Sequence, residues 1–182
     1  MKVYLISGAA RNGKDTIGDF LEKEYINKNK KVCRSQISKY IKMYAKDYFG
    51  WVGCEETKPR ELLQTLGTDI IRERLNKPMF FVNRTIEDIE ILSHFFDVMI
   101  ISDIRFPIEI DEIKKAFDDV VSINVKRINF DTELTLKQQS HKTETALNDY
   151  KNFDYKVIND TLEELEKDVI TIVNEEEEKC KN

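Results

Sequence analysis

Cysteine is scarce and unpaired: Cys33, Cys54 and Cys180 are scattered through 182 residues, with no CxxC pair and no metal-ligand spacing. An odd, dispersed set excludes a disulfide framework and a zinc ribbon, and predicts a reducing, cytoplasmic setting. Six glycines and three prolines exclude collagen-like and linker-rich chains. Long apolar runs are missing too. The stretch Val98 to Ile101 is among the longest, far short of a bilayer span. Met1 to Ser7 carries one lysine and a brief apolar stretch, so no signal peptide is predicted. Basic residues are not in excess: 29 Lys and Arg face 34 Asp and Glu, for a net charge of −5. That balance offers no footprint for a nucleic-acid polymer and leaves small molecules as the expected ligands. What is present suffices for a core. Hydrophobic residues make up 41% of the chain, which argues against disorder and fits one domain.

Apolar patterning alternates between strand and helix, the mark of a parallel sheet covered on both faces. Strands are predicted at Val3–Ser7, Val32–Gln36, Val98–Ser102, Val120–Val125 and Lys156–Ile158. Helical spacing recurs from Asp15 to Lys28, from Ser38 to Gly50, through Leu62, Leu66 and Ile70 despite Gly67, from Met79 to Leu92, from Pro107 to Phe117, and from Asp160 to Val173. Asn129 to Lys142 is polar without a period, and predicts a mobile loop or loose helix. The closing run EEEEKCKN reads as a solvated, frayed helix end. Neither repeat nor linker divides residues 1–182, so a single domain is expected.

One motif stands out. Gly8-Ala9-Ala10-Arg11-Asn12-Gly13-Lys14 matches G-x-x-x-x-G-K, between an apolar strand and an amphipathic helix. Glycines there let successive backbone N–H groups turn inward around a polyphosphate. The following helix aims its positive end at the same spot, and Lys14 adds a point charge for the outer phosphates. The pattern asks for Ser or Thr after the lysine, but Asp15 stands there and Thr16 follows. Thr16 is then the hydroxyl for Mg²⁺ or a phosphate oxygen. Asp15 acts on a metal-bound water or caps the helix.

Asp103 ends the most apolar strand, the position of a metal-organising carboxylate, although a turn cap would look the same. Two residues on, Arg105 fits a bidentate bridge between phosphates, or a salt bridge to Glu109 or Asp111. Lys14, Asp103 and Arg105 form the predicted catalytic set. Asp15, Thr16 and Asp103 form the predicted metal set, direct or through water.

In four blocks the chain resembles the phage-type deoxynucleoside monophosphate kinases, within the P-loop NMP kinase group. They are Ser7 to Phe20, Arg60 to Asp69 with Arg72 and Phe81, Ser102 to Pro107 with Glu109, and His141 to Glu144 followed by Val157 to Asp160. Small kinases of this group also carry their hydroxyl one place later, as G-K-x-T. The resemblance implies a three-layer P-loop NTPase fold of about five parallel strands flanked by helices, with a small lid. It implies ATP as donor, Mg²⁺, and a (deoxy)nucleoside monophosphate as acceptor. Gly8, Ala10, Arg11, Asn12, Gly13, Lys14, Asp15 and Thr16 would hold ATP. The acceptor region would span about residues 37–95. There Ser38, Arg60, Gln64, Gly67, Thr68 and Arg72 would contact the monophosphate, and Phe81 would stack on the base or wall it off. Arg127, His141 and Glu144 would belong to a lid over about residues 127–146.

Each assignment has a plainer counterpart. Gly67 permits helix packing, Arg72 and Arg74 pair with Glu73 or Asp69, Phe81 is core, and His141 makes a lid hydrogen bond. The segment Ile37 to Lys42 lacks the proline common in the family, and Phe81 stands where tryptophan is frequent. A phosphomevalonate-kinase-like enzyme and a non-catalytic nucleotide sensor are the competing functional readings. Monomer and homodimer are both compatible with the sequence.

Overall fold

A computed structural model describes residues 1–128, Thr135 and 141–179. Most of the predicted lid segment, and Cys180, lie outside the described residues. Five strands, β1 (Lys2–Ser7), β2 (Val32–Ser35), β3 (Val98–Ile104), β4 (Val120–Arg127) and β5 (Tyr155–Asn159), form one parallel sheet in the order β2-β3-β1-β4-β5. β1 is central because it is buried on both faces. Val3 and Leu5 join one core, Tyr4 and Ile6 the other, as a period of two requires.

Helices α1 (Lys14–Asn27) and α7 (Leu162–Lys179) cover the Tyr4 face through Ile17, Leu21, Leu165 and Val169. The opposite face is covered by α2 (Lys39–Phe49), α4 (Phe80–Leu92), α5 (Pro107–Ala116) and a further helix over Arg60–Arg74. That helix begins as α3 (Arg60–Gln64) and widens into a π-helical stretch over Thr65–Arg74. A short α6 (Lys142–Thr145) lies beyond β4. Three layers therefore put the ends of β1 and β3 on a common edge, where ligands collect in open parallel sheets.

Two expectations change here. The acidic tail is not a frayed end: α7 continues to Lys179, and Glu176 is buried. Lys2 reaches it from the first strand at 3.1 Å, and Tyr155 and Lys179 also bind it. Burial alone would raise the Glu176 carboxyl; the bonds to Lys179, Tyr155 and Lys2 outweigh it and hold the group below its ordinary value. The start of α7 lies past Asp160: the Thr161 hydroxyl accepts from the Glu164 N–H at 3.2 Å.

Candidate active site

β1 ends in a loop that turns on three positive-φ residues, Gly8 (152°), Arg11 (61°) and Gly13 (100°). A Cβ on Gly8 would stand 2.5 Å from the Val125 carbonyl oxygen, so no other residue fits beside β4. The loop is pinned from outside. Asn159 Nδ2 donates to the Asn12 carbonyl at 2.9 Å, and Asn12 Nδ2 donates to that of Val125 at 3.4 Å. Gly13 then caps α1, whose first residue is Lys14.

Lys14 is buried, and its Nζ donates to the carbonyls of Gly8 (3.0 Å) and Ala9 (2.8 Å). Burial, and next the Arg105 guanidinium, lower its pKa to about 8, against the pull of Glu144, Asp15 and Asp103. Glu144 closes over this loop. Its Oε2 accepts from the Ala10 N–H at 3.2 Å, and its Oε1 pairs with Arg105 Nη1 at 2.8 Å. A carboxylate thus binds a loop amide and an arginine together, the donor set an anion seeks.

Asp15 accepts from the Ser102 hydroxyl at 2.8 Å, so it is tied to the end of β3 rather than capping α1. Asp103 turns the other way. Its Oδ1 accepts from the Ile37 N–H at 2.7 Å; its Oδ2 accepts from the Ser38 N–H at 3.0 Å and from the Ser38 hydroxyl. Both oxygens are engaged in anchoring the start of α2, so Asp103 is poorly placed as a direct metal ligand. Ser38 in turn spends its hydroxyl on Asp103.

A cavity of about 580 Å³ opens beside Lys14 and Asp15 and runs to the Arg60–Arg74 helix. That volume suits a nucleotide-sized ligand. Arg60, Gln64, Gly67, Thr68, Arg72 and Arg105 line it. Arg60 is half-buried and its side chain has no partner among the described residues. The Thr68 hydroxyl is buried and unpaired. Gln64 Nε2 donates to Thr143 Oγ1 at 3.4 Å, and His141 Nε2 lies 3.7 Å from Asp69. His141 caps α6 by accepting from the Thr143 N–H at 3.3 Å. Helix α6 and its cap thus bridge the loop and the Arg60–Arg74 helix. Arg127 is exposed at the end of β4.

Two residues sit differently from expectation. Phe81 is fully buried and offers no face to a base. It lies under Arg72, whose guanidinium carbon is 4.7 Å from the Phe81 ring and 4.4 Å from the Phe106 ring. Arg72 is therefore no open fork for a phosphate. Nη1 donates to the Gly67 carbonyl at 3.1 Å, Nη2 pairs with Glu109, and the remaining nitrogen, Nε, is buried without a partner.

A family model described as deoxynucleotide monophosphate kinase matches residues 52–169, well over half of the chain. The chain belongs to the deoxynucleotide monophosphate kinase family. It is accordingly a phosphotransferase. A protein of Acanthamoeba polyphaga mimivirus named "Putative deoxynucleotide monophosphate kinase" is 28% identical over 176 residues, covering 88% of this chain and 86% of that one. Among solved structures, the Mycobacterium tuberculosis APS kinase CysC in complex with AMPPNP and APS aligns with a TM-score of 0.54 and 11% identity, covering 95% of this chain and 97% of the other. Shikimate kinase from Bacteroides thetaiotaomicron aligns at 0.51 and 13%, covering 94% and 96%. These two place the chain in the P-loop kinase fold.

Within this family member, sequence reasoning passed over Glu109 as a site residue. It is fully buried, and its Oε2 accepts from the N–H groups of Arg105 (2.7 Å) and Phe106 (3.1 Å). Burial pushes its carboxyl up, opposed by Arg72 and these two N–H donors. The signal was legible: Pro107 opens α5 and an acid follows two places later, the capping-box position. Ser102, which orients Asp15, left no comparable mark. As for a divalent cation, no cluster of three or more His, Cys, Asp or Glu occurs among the described residues. Mg²⁺ does not require one, since it binds through one or two carboxylates, water and substrate phosphates. Asp15 lines the cavity and its Oδ2 has no partner among the described residues, which fits that demand; Thr16 follows it in α1 but is not among the residues lining the cavity.

Proposed function

We propose that this kinase transfers the γ-phosphoryl group of ATP to the phosphate of a deoxynucleoside monophosphate. The observation that carries this reading is the Arg60 guanidinium, without a partner among the described residues, in a cavity that Lys14 and Arg105 also line. A cation so placed, in a nucleotide-sized space shared with the phosphate loop, suits a second phosphate.

In this reading residues 8–16 receive the triphosphate. Arg60, Gln64 and Thr68 receive the acceptor, with Ser38 and Gly67 shaping its pocket wall. An acceptor phosphate oxygen attacks the γ-phosphorus in line, the bond to the β–γ bridging oxygen breaks, and ADP leaves. No proton need be removed, because a phosphate anion is already a nucleophile. Lys14 and Arg105 stabilise charge on the equatorial oxygens. Asp15 and Thr16 would hold Mg²⁺, which would supply positive charge against the phosphates. Asp103 orients the acceptor side through Ser38. Helix α6, with His141 and Glu144, excludes water, against which the transfer competes.

Glu144 has a second consequence. It occupies an amide and an arginine that the incoming phosphates require, so nucleotide must displace it. Glu144→Gln should tighten tripolyphosphate or ATP binding by up to about tenfold, or about 1.4 kcal/mol. Titration calorimetry without acceptor measures this. Weaker binding in the variant would place Glu144 inside the phosphate site rather than in competition with it.

The function itself is tested with Mg·ATP and a panel of dNMPs and NMPs, scored for diphosphate products. Conversion of at least one dNMP is expected. ATP hydrolysis with every monophosphate untouched would overturn the acceptor assignment.

A further inference from the structure

We propose that Glu109 is a positioning residue for Arg105, and that Arg72 ties its carboxylate to the Arg60–Arg74 helix. The proposal rests on the phosphoryl-transfer reading above and adds the device that aims its central arginine.

The network runs through three elements. Glu109 on α5 is 1% exposed, and all its bonds are made inside the protein. One oxygen takes two backbone N–H groups. That of Phe106, at 3.1 Å, is the ordinary reach of a capping-box acid to its helix start. That of Arg105, at 2.7 Å, lies one residue outside the helix and is the shorter of the two. The other oxygen pairs with Arg72, from an element 37 residues away. Capping accounts for the Phe106 bond alone.

Arg72 is itself immobilised. The Phe81 and Phe106 rings both lie against its guanidinium, and Nη1 holds the carbonyl of Gly67, five residues back in the π-helix. Gly67 packs closely under α2: a Cβ there would stand 2.6 Å from Ile41 Cδ1, so that side-chain tip would have to move aside. The chain of contacts therefore runs from the Gly67 carbonyl through Arg72 and Glu109 to the Arg105 amide.

Stability does not explain the arrangement. A buried arginine–carboxylate pair is often matched or bettered by apolar residues of equal volume, because both ions lose their water. What apolar residues cannot do is accept an N–H at a fixed place. Fixing the Arg105 amide fixes where its side chain leaves the backbone. The guanidinium then needs only Glu144 and the Thr143 carbonyl, at 2.8 and 3.4 Å, to reach the loop edge.

A double-mutant cycle with Arg105→Met tests this. Glu109→Gln retains an oxygen for the two N–H groups but turns its amide against Arg72. It should lower kcat about tenfold or more, with the KM for ATP within about twofold. In the Arg105→Met background the same change should cost less than about twofold, because there is no longer a guanidinium to aim. A merely structural role predicts the same factor in both backgrounds, and that result, or an unaffected kcat in the single variant, overturns the proposal. Should Glu109→Gln fail to melt cooperatively, Glu109→Asp takes its place in the cycle. It keeps the charge beside Arg72 and retracts the acceptor by one methylene. If the wild type phosphorylates no monophosphate, the acceptor assignment falls, and the cycle is read on Mg·ATP hydrolysis with the same expected non-additivity.

Discussion

Lys14→Ala should lower kcat/KM for ATP by about 10²- to 10³-fold while the fold persists, as expected for losing one preorganised charge at the reacting phosphate. Among the described residues its Nζ bonds only to the Gly8 and Ala9 carbonyls, and both of those residues line a cavity roomy enough for water to replace it. The loop keeps its outer pins, Asn159 to Asn12 and Asn12 to Val125. Alanine also suits the first position of α1. The melting temperature should therefore stay near that of the wild type, or rise, since a desolvated charge has been removed. Lys14 has a further signature. Burial and Arg105 set its pKa near 8, and phosphates need its charged form, which dominates below that value. In the wild type kcat/KM for ATP, which reports the free enzyme, should fall as pH rises above 8, by about tenfold per unit. The variant should lack that limb. A pH–rate profile of both proteins checks the pair of statements. Residual activity within a few-fold of wild type would mean Gly8 to Lys14 is only a strand-to-helix turn.

The sheet was legible in the sequence because its signal is local. β1 and β3 are continuous apolar runs of a length that only a strand buried on both faces explains, and the glycine spacing marks the loop between β1 and α1. Boundaries shifted by a residue or two where fraying ends meet loops. Much of the site was hidden for the opposite reason: its partners are remote. Asp103 closes on Ile37 and Ser38, 66 and 65 residues away, so end-of-strand position alone could not separate a metal carboxylate from an anchor. Glu176 finds Lys2 across 174 residues, which turned an apparently solvated acidic tail into a buried ion pair. Apolar spacing at Leu62, Leu66 and Ile70 announces a helix but not its pitch. Within the π-helical stretch Arg72 reaches back to the Gly67 carbonyl, a bond that no apolar spacing announces. Phe81 lacks any sequence mark that separates a core ring from a base platform, and burial decides for the core. No helix among the described residues is long and apolar enough to cross a membrane.

Arg105→Met should cost about 10²- to 10³-fold in kcat, and it should do so while moving the pH limb of Lys14 upward. Two separate effects meet in one substitution. The guanidinium reaches Glu144 and the Thr143 carbonyl beside the phosphate loop, the place where equatorial charge would need a donor. Methionine retains most of the stem and none of the donors, so the chemical step loses a stabilising group. Arg105 is also the second cause, after burial, of the depressed Lys14 pKa. Removing this like charge favours the protonated lysine, so the descending limb of kcat/KM for ATP should begin above pH 8 rather than at it. Arg105→Lys separates the two effects. It keeps the positive charge near Lys14 and so keeps the limb near 8, yet lacks the planar fork and should recover only part of the rate. A general loss of structure would lower activity in both variants without shifting the limb in one alone. If kcat in Arg105→Met stays within about fivefold of wild type, the arginine serves only to hold Glu144 and α6 over the loop, and the charge on the transferring group must be met by Lys14 and the cation.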